Sequence, residues 1–78
     1  MKFEIGETVW YKNSKHSPII TKVKAHGAYQ LNRIYKLEDM PVGIIGTSEI
    51  NLKKVVGYTE IARKLYPEAE EFEGYLVL

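Results

Sequence analysis

The sequence predicts a mainly β protein: five short strands rolled into a small barrel, then a helical appendage and an extra strand at the C-terminus. Three observations carry this expectation. Before residue 57, runs of β-branched and aromatic residues alternate between apolar and polar positions, as half-buried strands do. Clusters of Asn, Ser, Gly and Pro separate those runs. After residue 57 the apolar spacing lengthens, and Tyr58, Ile61 and Leu65 recur at helical intervals.

Thr8-Val9-Trp10-Tyr11-Lys12 is the first expected strand. Two-residue alternation puts Val9 and Tyr11 on one face and Thr8, Trp10 and Lys12 on the other. Asn13 to Pro18 is a polar loop. Ile19 to Lys24 is the second strand, with Ile19, Thr21 and Val23 inward and Ile20, Lys22 and Lys24 on the wet face. Ala25-His26-Gly27 is expected to turn the chain, with Gly27 supplying a positive φ. Ala28 to Leu37 is the third strand, long enough to predict a bulge near Asn32-Arg33. Its inward set includes Tyr29 and Leu31. Glu38 to Gly43 is the next break, and Ile44 to Thr47 a short fourth strand. Ser48 to Leu52 reads as one helical turn capped by Ser48, and Lys53 to Val56 as the closing strand.

The remainder differs in character. Thr59 suits an N-cap, Glu60 the first turn of a helix, and Arg63 and Lys64 its last turn before Tyr66. Pro67 is expected to begin a second helical turn through Phe72, stopped by Gly74. The predicted organisation is residues 1–56 as the barrel and residues 57–78 as a helix and terminal strand packed on it, one domain overall.

The 78 residues suffice for one small core, since a chain this short buries only roughly 60% of its unfolded surface. A hydrophobic fraction of 45% and a charged fraction of 27% argue against disorder. Cysteine is absent, so neither disulfides nor thiolate chemistry enter. Met1-Lys2-Phe3-Glu4 does not read as a signal peptide, and no run approaches the ~20 apolar residues of a membrane span. The expectation is a cytoplasmic protein with no membrane partner. Residues 1–57 carry nine Lys/Arg against five Asp/Glu, and residues 58–78 carry two against five. A basic body with an acidic tail occurs in proteins that meet nucleic acid, and it also fits a tail docked on its own body.

Phe3-x-Ile5-Gly6-Glu7-x-Val9-Trp10, Ile20-Thr21-Lys22-Val23, Tyr29-x-Leu31 and Ser48-Glu49-x-x-Leu52 together resemble small SH3-like barrels of the Tudor and KOW type. The resemblance covers residues 3–56. It implies an early glycine in a turn, core aliphatics from the strand that follows, and a single helical turn before the last strand. Such barrels bind nucleic acid, methylated or proline-rich peptides, or other proteins, so the fold leaves the role open. This chain departs from the family in carrying Lys15-His16 in its first loop and in a longer third-to-fourth hairpin. In size and in its richness in Lys, Ile and Tyr it is also similar to small proteins of bacteriophages and low-GC bacteria.

Chemistry-bearing constellations are few. His16 and His26 fall in expected polar connections without a partner base or acid. Ser14, Ser17 and Ser48 have loop or capping roles. Gly43 and Gly46 lack the lysine of a phosphate loop, and Glu68, Glu70, Glu71 and Glu73 lack Ca²⁺-loop spacing. No catalytic residue, metal ligand, cofactor or small-molecule substrate is expected.

The candidate binding face is Trp10, Lys12, Lys15, Lys22, Lys24, Arg33, Tyr35 and Lys36, in which cations neutralise phosphates and rings stack bases. The competing reading has these lysines keeping sheet edges soluble and the C-terminal helix covering Trp10. An aromatic cage from Tyr11, Tyr29 and Tyr35 is a further option that core packing competes with. The candidate association edge is Tyr75, Leu76, Val77 and Leu78, which either completes its own barrel or pairs with a partner. The leading expectation is a non-enzymatic interaction, adaptor or inhibitor module, of phage type, that binds another protein or a second copy of itself. The alternative is nucleic-acid binding through the basic, aromatic-bearing face.

Overall fold

The computed structural model describes residues 2–40 and 43–78. Met1, Pro41 and Val42, the last two within the expected break after the third strand, lie outside the described residues. The chain is mainly β, as the alternation predicts. Its strands are β1 (Thr8–Tyr11), β2 (Ile19–Tyr29), β3 (Asn32–Leu37), β4 (Leu52–Tyr58), β5 (Glu70–Phe72) and β6 (Tyr75–Val77). A 3-10 turn, Glu49–Asn51, precedes β4, and one short helix, α1 (Thr59–Ala62), follows it. Neighbouring strands are antiparallel, in the order β3-β2-β1-β4-β6-β5. The sheet does not close. The expected fourth strand is reduced to one bridge, Tyr35 to Thr47, on the outer side of β3.

Register sorts the side chains of the first half. Val9 lies opposite Thr21 and Tyr11 opposite Ile19, while Trp10 lies opposite Ile20 and Thr8 opposite Lys22. The first set faces a core of Phe3, Val9, Tyr11, Val23, Tyr35, Leu37 and Leu52, with Ile19 and Met40 against it. Thr21, the buried hydroxyl in this row, is satisfied by Asp39: it donates to the carboxylate and accepts from the Asp39 N–H, both at 3.2 Å.

The second hairpin departs from expectation. β2 runs unbroken through Ala25-His26-Gly27, and the turn falls three residues later at Gln30-Leu31, between Tyr29 and Asn32. Gly27 is therefore a strand glycine. A Cβ there would meet Ile34 at 3.4 Å, and one at Gly46 would meet the Ile34 Cδ1 at 2.7 Å. Gly46 makes room for Ile34, whereas Gly27 is an ordinary strand position opposite it. The bulge lies in β2, between Val23 and Ala25, instead of near Asn32-Arg33. Leu31, expected inward, is at the hairpin tip, 104% exposed, and Tyr29 is half exposed.

The C-terminal third also departs. The helix stops at Ala62, and Ser48 and Tyr58 at the two N-cap positions make no side-chain cap. The 3-10 turn is closed instead by the Asn51 N–H on the Ser48 carbonyl, 3.2 Å. The segment expected as a second helical turn forms β5, which pairs with β6 around Glu73-Gly74, both at positive φ. Glu73-Gly74 is thus a two-residue hairpin turn rather than a helix stop. Ala62, Ala69 and Leu76 form a second core, with Val56 and Tyr66 against it. Tyr58, Ile61 and Leu65, which recur at helical spacing, remain on the surface.

β4 belongs to both cores. It pairs with β1 through Leu52–Lys54 and with β6 through Val55–Tyr58, and a bulge at Val56 shifts its register between Val55 and Gly57. A Cβ at Gly57 would stand 2.7 Å from the Ala62 Cβ, so this glycine lets α1 lie on the strand. Gly57→Ala is expected to lower unfolding free energy by about 1–3 kcal/mol, since neither atom is a flexible chain end. Urea denaturation followed by Trp10 fluorescence measures the shift in midpoint.

Candidate functional site

The N-terminal segment is held by three rings. Tyr35 lies edge-on to Phe3 at 5.6 Å and to His26 at 5.4 Å between ring centroids. The Phe3 N–H donates to the Tyr35 hydroxyl at 3.3 Å, and the His26 Nε2–H donates to the Phe3 carbonyl at 2.7 Å. The clasp requires the Nε2–H tautomer of His26. Both residues thereby acquire structural roles that the sequence did not assign. His26 was expected in an exposed connection, and Tyr35 on the binding face, yet Tyr35 is 2% exposed. Neither its ring nor that of buried Tyr11 is free to stack a base or build a cage. His26→Leu, which leaves the Phe3 carbonyl without this donor, is expected to cost about 1–3 kcal/mol of stability, read by thermal denaturation.

The remaining members of the predicted basic face are spread over β1, β2, β3 and the loop after β1. Trp10 and Lys22 share the outer side of β1 and β2 by register, and Lys12 and Lys15 are exposed beyond the end of β1. Lys24 is exposed at the bulge, and Lys36 lies opposite Ala25. Trp10 is only partly exposed. Lys53, its cross-strand partner on β4, places its ammonium 4.9 Å from the ring centroid. That cation–π contact occupies the face that base stacking would use. Nothing in the sequence alone pairs Lys53 with Trp10. The register of β1 with β4 does so.

Arg33 belongs to a different place. At the base of the β2–β3 hairpin, a groove of about 500 Å³ is lined by Lys2, Tyr29, Asn32, Arg33, Ser48 and Glu49, among others. Lys2 lies over the Phe3 ring, its ammonium 5.7 Å from the centroid, so the aromatic clasp sets one wall. The hairpin sets the other and carries the turn that distinguishes this site. A two-residue hairpin loop wants positive φ at both positions, which Asn-Gly or Asp-Gly supplies without penalty. Here Gln30 has φ 49° and Leu31 φ 70°. Each non-glycine residue held so costs about 1–2 kcal/mol. The leucine also gains nothing by burial.

At the other edge of the sheet, Tyr58, Ile61 and Leu65 are exposed, Ile61 and Leu65 by more than three-quarters. A second groove, about 400 Å³, runs between Tyr58, Glu60, Ile61 and Glu71. Tyr58 and Tyr75 pack with ring centroids 5.1 Å apart. The predicted association edge is not a free edge. β6 pairs with β4 on one side and β5 on the other, Leu76 and Val77 are buried, and the Leu78 N–H donates to the Lys54 carbonyl at 2.9 Å. Only Tyr75 and Leu78 of that run retain surface.

Among the described residues no group of His, Asp and Glu is arranged to hold a metal ion, and no helix is long and apolar enough to cross a membrane.

The charge of Tyr58 is the main influence on Tyr75. With desolvation and the hydrogen bond between the two hydroxyls, it holds the Tyr75 phenol above its ordinary value of 10.0. A raised phenol favours the folded state below pH 10.0, and that contribution is lost as pH rises through the folded value. Absorbance titration of tyrosinate is therefore expected to show a late component, and Tyr58→Phe to move it toward lower pH.

No family model matches this chain, and neither does any curated protein or solved structure.

Proposed function

We propose that this chain is a non-enzymatic protein-interaction module that docks through the β2–β3 hairpin and the groove at its base. The observation that carries this reading is the Gln30-Leu31 turn. A small protein, marginal by size, keeps two non-glycine residues at positive φ and uses one of them to hold a leucine wholly in water. Strain of this kind persists where an interaction needs the conformation. Leu31 and the half-exposed ring of Tyr29 are the apolar anchors, and Lys2 and Arg33 the charges beside them. A partner segment with an apolar side chain for Leu31 and a carboxylate for Arg33 fits this surface.

An SH3-like framework for residues 3–56 is part of the proposal. It is supported by the strand order β3-β2-β1-β4, the Tyr35–Thr47 bridge and the single 3-10 turn before β4. Such a frame is a platform for binding, with the specificity written in its loops. The nucleic-acid alternative has the exposed Lys12, Lys15, Lys22, Lys24 and Lys36 in its favour. The Lys53 cover on Trp10 and the burial of Tyr35 favour the protein reading.

Two variants test the proposal. Gln30→Asn with Leu31→Gly relieves the turn and is expected to raise stability by about 1–2 kcal/mol in urea denaturation. The same double change is expected to abolish binding of peptides selected by the wild-type chain from a displayed random library, as is Leu31→Ser alone. The selected peptides are expected to combine acidic and apolar residues. Binding unchanged by Leu31→Ser rules this docking site out, as does failure both to enrich a peptide and to bind a folded partner through the hairpin. A steep salt-dependent affinity for a mixed oligonucleotide, lost in Lys22→Glu with Lys24→Glu, moves the assignment to nucleic acid.

A further inference from the structure

We infer that the partner this hairpin fits is the acidic outer edge of a second copy of the same chain. The inference rests on the interaction reading above and names its occupant. Sheet order puts β3 and β2 at one edge and β6 and β5 at the other. Four strands lie between β3 and β5, so the two edges of one chain do not reach each other. Large apolar side chains are exposed near each edge: Tyr29 and Leu31 at the β2–β3 hairpin, and Tyr58, Ile61 and Leu65 at the end of β4, in α1 and just after it, beside the β5–β6 hairpin. Ile5, Ile45, Ile50 and Leu78 are exposed as well, and scattered residues of this kind need no explanation, but these two groups each lie beside a groove.

The charges beside them are opposite. Lys2 and Arg33 line the groove at the hairpin. Glu60 and Glu71 line the groove beside Tyr58 and Ile61, and Glu70 and Glu73 are exposed next to it. The contrast holds along the whole chain, whose first 57 residues carry an excess of Lys/Arg and whose last 21 an excess of Asp/Glu. Each edge therefore has the charge and the apolar surface that the other edge needs. Leu31 enters the groove between Tyr58 and Ile61, and Arg33 meets Glu60 and Glu71. Opposite potentials set which faces approach, and the apolar anchors supply affinity.

Hairpin and tail are different surfaces; the inferred dimer is the arrangement in which a two-fold axis brings the hairpin of the first copy onto the tail of the second and the reverse, whereas a single such contact would extend head to tail. A phosphate backbone suits the hairpin groove less well. Glu49 lines its floor, and an aliphatic tip finds no counterpart on phosphodiesters.

Sedimentation of the full chain from micromolar to millimolar concentration tests the inference. The expected result is a rise in mass from 9.0 kDa to twice that, shifted to higher concentration by added salt. Arg33→Glu alone, and Glu60→Lys with Glu71→Lys alone, are each expected to weaken association about tenfold or more. Mixing those two variants restores opposite charge at both contacts and is expected to recover the doubled mass. Leu31→Ser disturbs no internal packing and serves as a second variant, with folding checked by circular dichroism.

A chain that stays at 9.0 kDa at every concentration overturns the inference, as does association that the variants leave unchanged or a mixture that fails to recover it. If the chain stays monomeric while library-selected peptides still bind through Leu31, the second-copy assignment falls and the interaction reading stands. If both are absent, both fall.

Discussion

β4 holds this protein together, because neither half has a core that stands without it. Its first residues lie on β1 and give Leu52 to the core around Phe3, Val9 and Tyr35. Its last residues lie on β6 and give Val56 to the core around Leu76. The bulge at Val56 re-aims the strand between the two tasks, since one extra residue exchanges the faces of a period-two element. An open six-stranded sheet results, with two small cores side by side instead of one central core. That division also limits burial: a chain of 78 residues with two cores has a long perimeter, and several of its large apolar residues end on it.

The two edges of this sheet are finished differently. At one, the aromatic clasp of Phe3, Tyr35 and His26 anchors the N-terminal segment and shapes a groove below the hairpin. At the other, the β5–β6 hairpin encloses Leu76 and leaves glutamates along a three-residue outer strand. Short, charged outer strands resist indiscriminate pairing. Contact at that edge is thus directed to side chains, to the Tyr58–Ile61 groove in particular, and not to an open backbone ladder. The interaction reading and its second-copy form both follow from this asymmetry of shape and charge.

Some of the candidate site was legible in the sequence and some was not. Lys22 and Trp10 were placed on the outer face by two-residue alternation, which holds where strands are regular. Tyr35 was misplaced because a ring interleaved with lysines in the sequence gave no sign that its hydroxyl had a buried partner in the Phe3 N–H. Lys53 was missed because its link to Trp10 crosses about forty positions of chain and exists only in the β1–β4 register. The helical spacing of Tyr58, Ile61 and Leu65 left their exposure open, because spacing reports which residues share a face, not whether anything covers it.

By itself the sequence determined the local alternation: which residues of β1 and the first half of β2 face inward, where the 3-10 turn falls, and that the chain is mainly β. These follow from side-chain chemistry and the pleat of a strand, which act over a few residues. Tertiary contact decided where the hairpins turn. The β2–β3 ladder runs through Gly27 opposite Ile34 as far as Tyr29 opposite Asn32, which puts the turn on Gln30 and Leu31. It also decided that Glu70–Phe72 is extended, since pairing with β6 satisfies its backbone and buries Leu76, a gain larger than the helical preference of a few glutamates.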